Sequence, residues 1–313
     1  MAPDAGNCAF GSAARGEPLM ATASRVRSWL LIEQPGAWGP EALTQSGLDA
    51  SVAAALAARC RRHQVRPLLI RRPGFARPGP RRRCFLAHSG DRRSWVEALT
   101  VDDPGDLLHL DWSVLASDRA PAVGQPPPAP VSLVCTNGRH DRCCAVYGRP
   151  LARALVAAGV PEVWECSHIG GDRFAANLVC LPEGVYFGRV GADEGPAVAD
   201  DYRAGLLTLD RYRGRSCYPP LVQAGELFVR RGSGTREVDG LVLQRAQLIG
   251  EHRLEATFVV GAGTVWRVEV DRHRSAESVS LTCRSAGRAR PWEYRLADLA
   301  LLGPAEAGRR RIR

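Results

Sequence analysis

The stretch VSLVCTNGRHDRCCAVYGRPLARALVAAGV, residues 131–160, carries the reading on which the fold turns. Val131 to Val134 is a short apolar run that predicts a buried strand. Asn137-Gly138 makes a turn, and Asp141 is placed to cap a helix over residues 141–158, with Pro150 inside it. Cys135 therefore closes a strand, while Cys143-Cys144 open the helix that follows. The carboxyl ends of strands are where α/β sheets build their sites. A helix N-terminus also lowers a thiol pKa, which favours the thiolate needed for metal binding or redox attack.

Downstream, Val163–Cys166, Asn177–Leu181 and Val185–Val190 read as strands, the last two a hairpin turned at Gly184, followed by a helix near Val198–Leu207. The order β-α-β-β then helix is thioredoxin-like. Upstream, GQPPPAP at 124–130 predicts an extended linker, because successive prolines cannot join a sheet interior. Before it, Trp29–Ile32 and Pro67–Ile70 read as parallel strands around a helix, ASVAAALAARCRRH, capped by Asp49. Cys84–Ala87 and Trp95–Val101 add two more strands. The small, polar first twenty residues read as loose or laid on the surface.

The expected fold class is α/β. An N-terminal β-α-β domain (1–123), itself a candidate diverged copy of the thioredoxin-like plan, precedes the linker. The thioredoxin-like domain covers 131–210. A small α+β domain (211–313) follows, with a helix at Leu221–Arg230 and an antiparallel meander from Leu254–Val260, Val265–Val270 and Val279–Thr282.

The 313 residues hold 42 basic side chains, all arginine, against 33 acidic ones, for a net charge of +9. Part of that basicity reflects a lysine-free, Ala/Gly/Arg-rich composition. Clusters at Arg81-Arg82-Arg83 and at Arg309, Arg310, Arg311 and Arg313 would attract an acidic partner. Nucleic acid is disfavoured, since no recognition motif accompanies the charge and aromatic content is only 6%. No apolar run reaches the roughly 18 residues of a membrane span. The opening MAPDAGNCAFGSAARGEPLM lacks the apolar core of a secretory signal, so a reducing cytoplasm is the expected compartment.

Ten cysteines lie at 8, 60, 84, 135, 143, 144, 166, 180, 217 and 283. In a reducing compartment clustered cysteines bind metal or do redox work. Singly placed ones (Cys8, Cys60, Cys84, Cys180, Cys217, Cys283) read as small apolar residues. About thirty residues after Cys135, WECSHIGGDRFAAN adds Cys166, His168 and Asp172 around Gly170-Gly171, whose bare backbone allows close approach of a cofactor. The spacing matches no zinc finger, since no CxxC pair is present. A metal or iron–sulfur site follows from the combination.

VCTNGRHDRCCAVYG (134–148) and ECSHIGGDRFAANLVCLPEGVYFG (165–188) resemble the signature of the sucrase/ferredoxin-like family, and residues 16–43 resemble its N-terminal region. The resemblance implies a thioredoxin-like [2Fe-2S] ferredoxin, held by two cysteines of the first motif and nitrogen ligands of the second. Cys135 and Cys144 match the family's cysteines, and His168 matches the first histidine of an H-x-x-x-H pattern. Cys143 takes a place often held by another residue type. The second histidine would fall at 172, where this chain has Asp172, a hard oxygen donor poorly suited to iron–sulfide. Asp172 as a weak ligand, Cys166 or Cys143 as the fourth ligand, or loss of the cluster are the open alternatives.

The expected role is one-electron transfer to or from an acidic redox partner protein. The alternative is thiol–disulfide chemistry at Cys135, Cys143 and Cys144, although adjacent cysteines rarely pair without strain. Neither paired carboxylates for a glycosidase nor a nucleotide motif is evident, so nothing supports sucrase activity.

Overall fold

The computed structural model describes residues 7–74, 79, 81–284 and 287–304; the arginine cluster at 309–313 lies outside them. Asn7 accepts a hydrogen bond from the Phe10 N–H and so caps a short helix, α1 (Cys8–Ala14). Residues 7–14 of the opening segment are thus a capped helix and not loose.

Strand β1 (Ser28–Glu33), helix α2 (Ala50–His63) and strand β2 (Val65–Arg71) form the expected parallel β-α-β unit, with Leu31 opposite Leu68. The Asp49 carboxylate accepts from the Ser51 and Val52 N–H groups, and Arg61, Arg62 and His63 end the helix favourably for its dipole. Strand β3 (Arg82–Ser89) returns antiparallel beside β1, and β4 (Ser94–Val101) pairs outside it.

The plan then restarts with β5 (Val131–Cys135), α3 (Arg142–Ala157) and β6 (Val163–Cys166) as a second parallel unit. Strands β7 (Leu178–Leu181) and β8 (Val185–Phe187) form the expected hairpin, and Gly184 turns it at φ +64°. Strand β8 ends three residues earlier than expected, where Arg189 takes φ +52°. The helix expected near Val198–Leu207 is α4 (Gly195–Arg203), shifted to its Pro196 start. Strand β9 (Tyr212–Arg215), unforeseen in the sequence, closes this side.

Both units share one nine-stranded sheet, ordered β4-β3-β1-β2-β6-β5-β7-β8-β9, joined where Ile70 of β2 pairs antiparallel with Cys166 of β6. The proline-rich stretch is pinned to the first unit. Gln125 pairs with Ala98 of β4, and the buried Glu97 carboxylate accepts from the N–H groups of Ala122, Val123 and Gly124. One face of the sheet buries Trp29, Leu31, Phe85, Leu133, Trp164 and Tyr186 in a core common to both units. On the other, α2 packs through Leu56 and Cys60, and α3 through Leu151 and Leu155.

Helix α5 (Pro220–Ser233) lies on a four-stranded antiparallel sheet of β10 (Leu241–Leu248), β11 (Arg253–Val260), β12 (Thr264–Arg274) and β15 (Trp292–Pro304). Phe258, Val268 and Val270 meet Leu221, Val222 and Val229 there. A short hairpin, β13 (Val279–Ser280) with β14 (Arg288–Ala289), stands in place of the longer strand expected at 279–282. Among the described residues no helix is long and apolar enough to cross a membrane.

Candidate metal centre

The loops that follow β5 and β6 meet at the junction of the two units. Cys135 and Cys166 are register partners at the ends of these parallel strands. Asp141 caps α3 by accepting from the Cys143 N–H at 2.8 Å, which sets Cys143 and Cys144 in the first helical turn. Gly148, one turn further on, lets α3 press against the strand end; a Cβ there would stand 2.1 Å from the Cys135 carbonyl oxygen.

Two overlapping sets of donor atoms result. Cys135, Cys144 and His168 present ligand atoms within 4.8 Å of one another, and so do His140, His168 and Asp172. Cys135 and Cys144 are buried, whereas His140 and His168 are partly exposed. The two imidazoles stack with centroids 3.7 Å apart and planes 15° from parallel. His168 Nδ1 lies 2.9 Å from Asp172 Oδ1, a close ionic contact, yet this buried nitrogen has no aligned hydrogen-bond partner. Asp172 Oδ1 also accepts from the Cys144 thiol at 3.4 Å.

The charges are distributed unevenly. Hydrogen bonding from Cys144 holds the Cys135 thiol well below its ordinary range, with His168 assisting, against the burial that opposes it. Cys144, donor to Cys135 and buried beside Asp172, is raised. Burial alone would lower His168, but Asp172 and Cys135 beside it outweigh that and bring its pKa to about 9. Burial would likewise raise Asp172, and the His168 contact reverses it. These shifts favour the charged forms of Cys135, His168 and Asp172 and the neutral form of Cys144.

His140 was not legible as a site residue, since it stands in a turn between Asn137-Gly138 and the helix cap. Its neighbours come from the β1–α2 loop. The Pro40 carbonyl oxygen lies 3.2 Å from His140 Nδ1, and the Asn137 amide donates to the Gly39 carbonyl at 3.2 Å. A carbonyl only accepts, so the Pro40 contact favours the tautomer with its proton on Nδ1 and its lone pair on Nε2. The exposed Arg284 guanidinium approaches the same Nδ1 at 3.3 Å and competes with that bond.

Among the described residues Cys166 joins neither set, and Cys143 faces elsewhere, toward Cys8 and Cys283. Cys60, Cys84, Cys180 and Cys217 are core residues, as expected, but Cys8 and Cys283 are not merely apolar packing: both sulfurs meet Cys143. The space beside the paired glycines is taken by protein. Gly170 and Gly171 adopt φ +96° and +80°, and a Cβ on them would strike Ser24 Oγ at 2.3 Å and Arg213 Nη2 at 2.3 Å. The buried Arg213 holds this loop by donating to the Gly170 carbonyl at 3.1 Å and the Asn177 side chain at 2.7 Å.

Residues 19–214 match the model of the sucrase/ferredoxin-like family, a span that contains the whole nine-stranded sheet apart from Arg215. The chain belongs to the sucrase/ferredoxin-like family. No curated protein and no solved structure is significantly similar to it. Within this sucrase/ferredoxin-like chain, the Cys, His and Asp groupings are close enough to bind metal.

Proposed function

We propose that the protein is a one-electron carrier whose [2Fe-2S] cluster is held by Cys135 and Cys144 on one side and by His168 and His140 on the other. The observation that supports this reading is the pair of donor sets sharing His168, sulfur-rich at the buried end and imidazole-rich at the exposed end. The donor types fit: thiolate and imidazole are the ligands iron–sulfur clusters take, and with Asp172 against His168 Nδ1 the other ring nitrogen, Nε2, is the one left to ligate. Such a cluster exchanges single electrons, and imidazole in place of thiolate raises its potential.

The chain's own residues do the rest. Asp172 sits against His168 and orients it, standing behind the ring as a carboxylate partner of a metal-binding histidine does. Arg66 donates to the His168 carbonyl at 2.8 Å and fixes that loop's backbone. Exposed Arg139 and Arg284 border His140, so an acidic redox partner would dock over the imidazole edge.

Anaerobic purification with visible spectroscopy and metal analysis tests the reading. The expected product is a coloured protein with about two irons and two sulfides per chain. A colourless, iron-free protein after attempted reconstitution would overturn it and favour thiol chemistry.

A further inference from the structure

The adjacent Cys143 and Cys144 send their thiols to different places. Cys144 Sγ faces Asp172, whereas Cys143 Sγ lies 3.6 Å from Cys8 Sγ and 3.5 Å from Cys283 Sγ. The buried Asp141 completes this second group. Its Oδ2 is 3.8 Å from Cys8 Sγ and accepts from the Cys283 N–H at 2.6 Å and the Thr282 hydroxyl at 2.8 Å. All four donor atoms lie within 4.8 Å of one another. They arrive from three remote parts of the chain: helix α1, the start of α3, and the turn between β13 and β14.

Apolar packing does not account for a buried carboxylate aimed among three thiols. A disulfide brings two sulfurs to ~2.05 Å and would leave the third thiol without a role. A single tetrahedral ion uses all four. Zinc–sulfur bonds of ~2.3 Å place thiolates ~3.8 Å apart, close to the spacing seen here.

We propose that Cys8, Cys143, Cys283 and Asp141 form a structural zinc site, separate from the centre at Cys135 and Cys144. Four protein donors leave no open position, so the ion's role is to fasten. It ties α1 and the β13–β14 hairpin to the loop that presents His140 and Cys144. Each ligating thiol gives its proton to solvent as the ion binds. The site does not depend on the cluster reading, because it shares no donor atom with it.

The test is metal analysis of the full chain expressed with zinc or with cobalt(II), comparing wild type with Cys8→Ser, Cys283→Ser and Cys144→Ser. Wild type and Cys144→Ser should each carry about one zinc per chain, and the cobalt forms should show tetrahedral thiolate–cobalt absorption. Cys8→Ser and Cys283→Ser should lose most zinc and that absorption, with iron content unchanged. Cys283 sits half-buried on a surface turn, so its serine variant keeps the fold, which circular dichroism checks. Zinc-free wild type, zinc retained in both variants, or a Cys8–Cys143 or Cys143–Cys283 disulfide under reducing conditions would each overturn the proposal.

Discussion

The two halves of the nine-stranded sheet follow one plan and serve different ends. In each, two parallel strands flank a helix and a hairpin is added beside the first strand, giving β4-β3-β1-β2 on one side and β6-β5-β7-β8 on the other. The loop after β5 reads TNGRHDRCC, with thiols and an imidazole. The corresponding loop after β1, residues 34–49, contains neither cysteine nor histidine. Yet it supplies the Gly39 and Pro40 carbonyls that grip Asn137 and His140. Strand patterning sets the plan, loop chemistry sets the candidate site, and the loop without cysteine or histidine becomes scaffold for the other.

The largest contrast is chemical. Cys135→Ser or Cys144→Ser should remove most of the iron, whereas Cys60→Ser and Cys84→Ser in the other half should leave it in place, read by iron assay on folded protein. Retention of full iron by Cys144→Ser would sink that residue's assignment. Next is stability. Leu56 on α2 and Leu155 on α3 are both fully buried, and either Leu→Ala change should cost about 2–5 kcal/mol. Because the halves share one sheet and core, calorimetry should show a single transition lowered by both variants; two independent transitions would break the comparison.

Smaller is the clasp between the loops. Asn137→Ala removes the bond to Gly39 and should cost about 1 kcal/mol, with faster loss of iron to a chelator. Smallest is a pH effect confined to the first half. His88 is buried on β3 beside Trp95, and burial lowers its pKa, with Arg27 adding to the shift and Asp91 and Asp118 opposing it. A depressed pKa means the unfolded chain binds the proton more readily. Stability is therefore full above the unfolded value of about 6.5 and declines as pH falls below it. His88→Gln should flatten that decline in melting experiments, and an unchanged slope would exclude His88 as its source.

Much of the sheet was legible because its strands are apolar runs and its helices carry caps: Asp49 and Asp141 mark α2 and α3 to within a residue. Strand β9 was not, since YRGR is buried through the hydrogen bonds of Arg213 and Arg215 and not through apolar side chains. Strands β10 and β15 leave much of their length exposed, which blurs the alternation a reader looks for. Cys135, Cys144, His168 and Asp172 lay in recognisable motifs, and the structure gathers them. His140 was missed because its meaning depends on a loop a hundred residues earlier and a ring 28 residues later. The meeting of Cys8 with Cys283 spans 275 residues, beyond any local pattern.

The central claim is that His140, and not Asp172, completes the ligand set. Electron–nuclear double resonance on the reduced protein tests it most directly, comparing wild type with His140→Ala and Asp172→Asn. The account predicts two strongly coupled nitrogens in wild type and in Asp172→Asn, and one in His140→Ala, with the iron held less tightly. Two nitrogens persisting in His140→Ala, or a cluster lost only in Asp172→Asn, would contradict it.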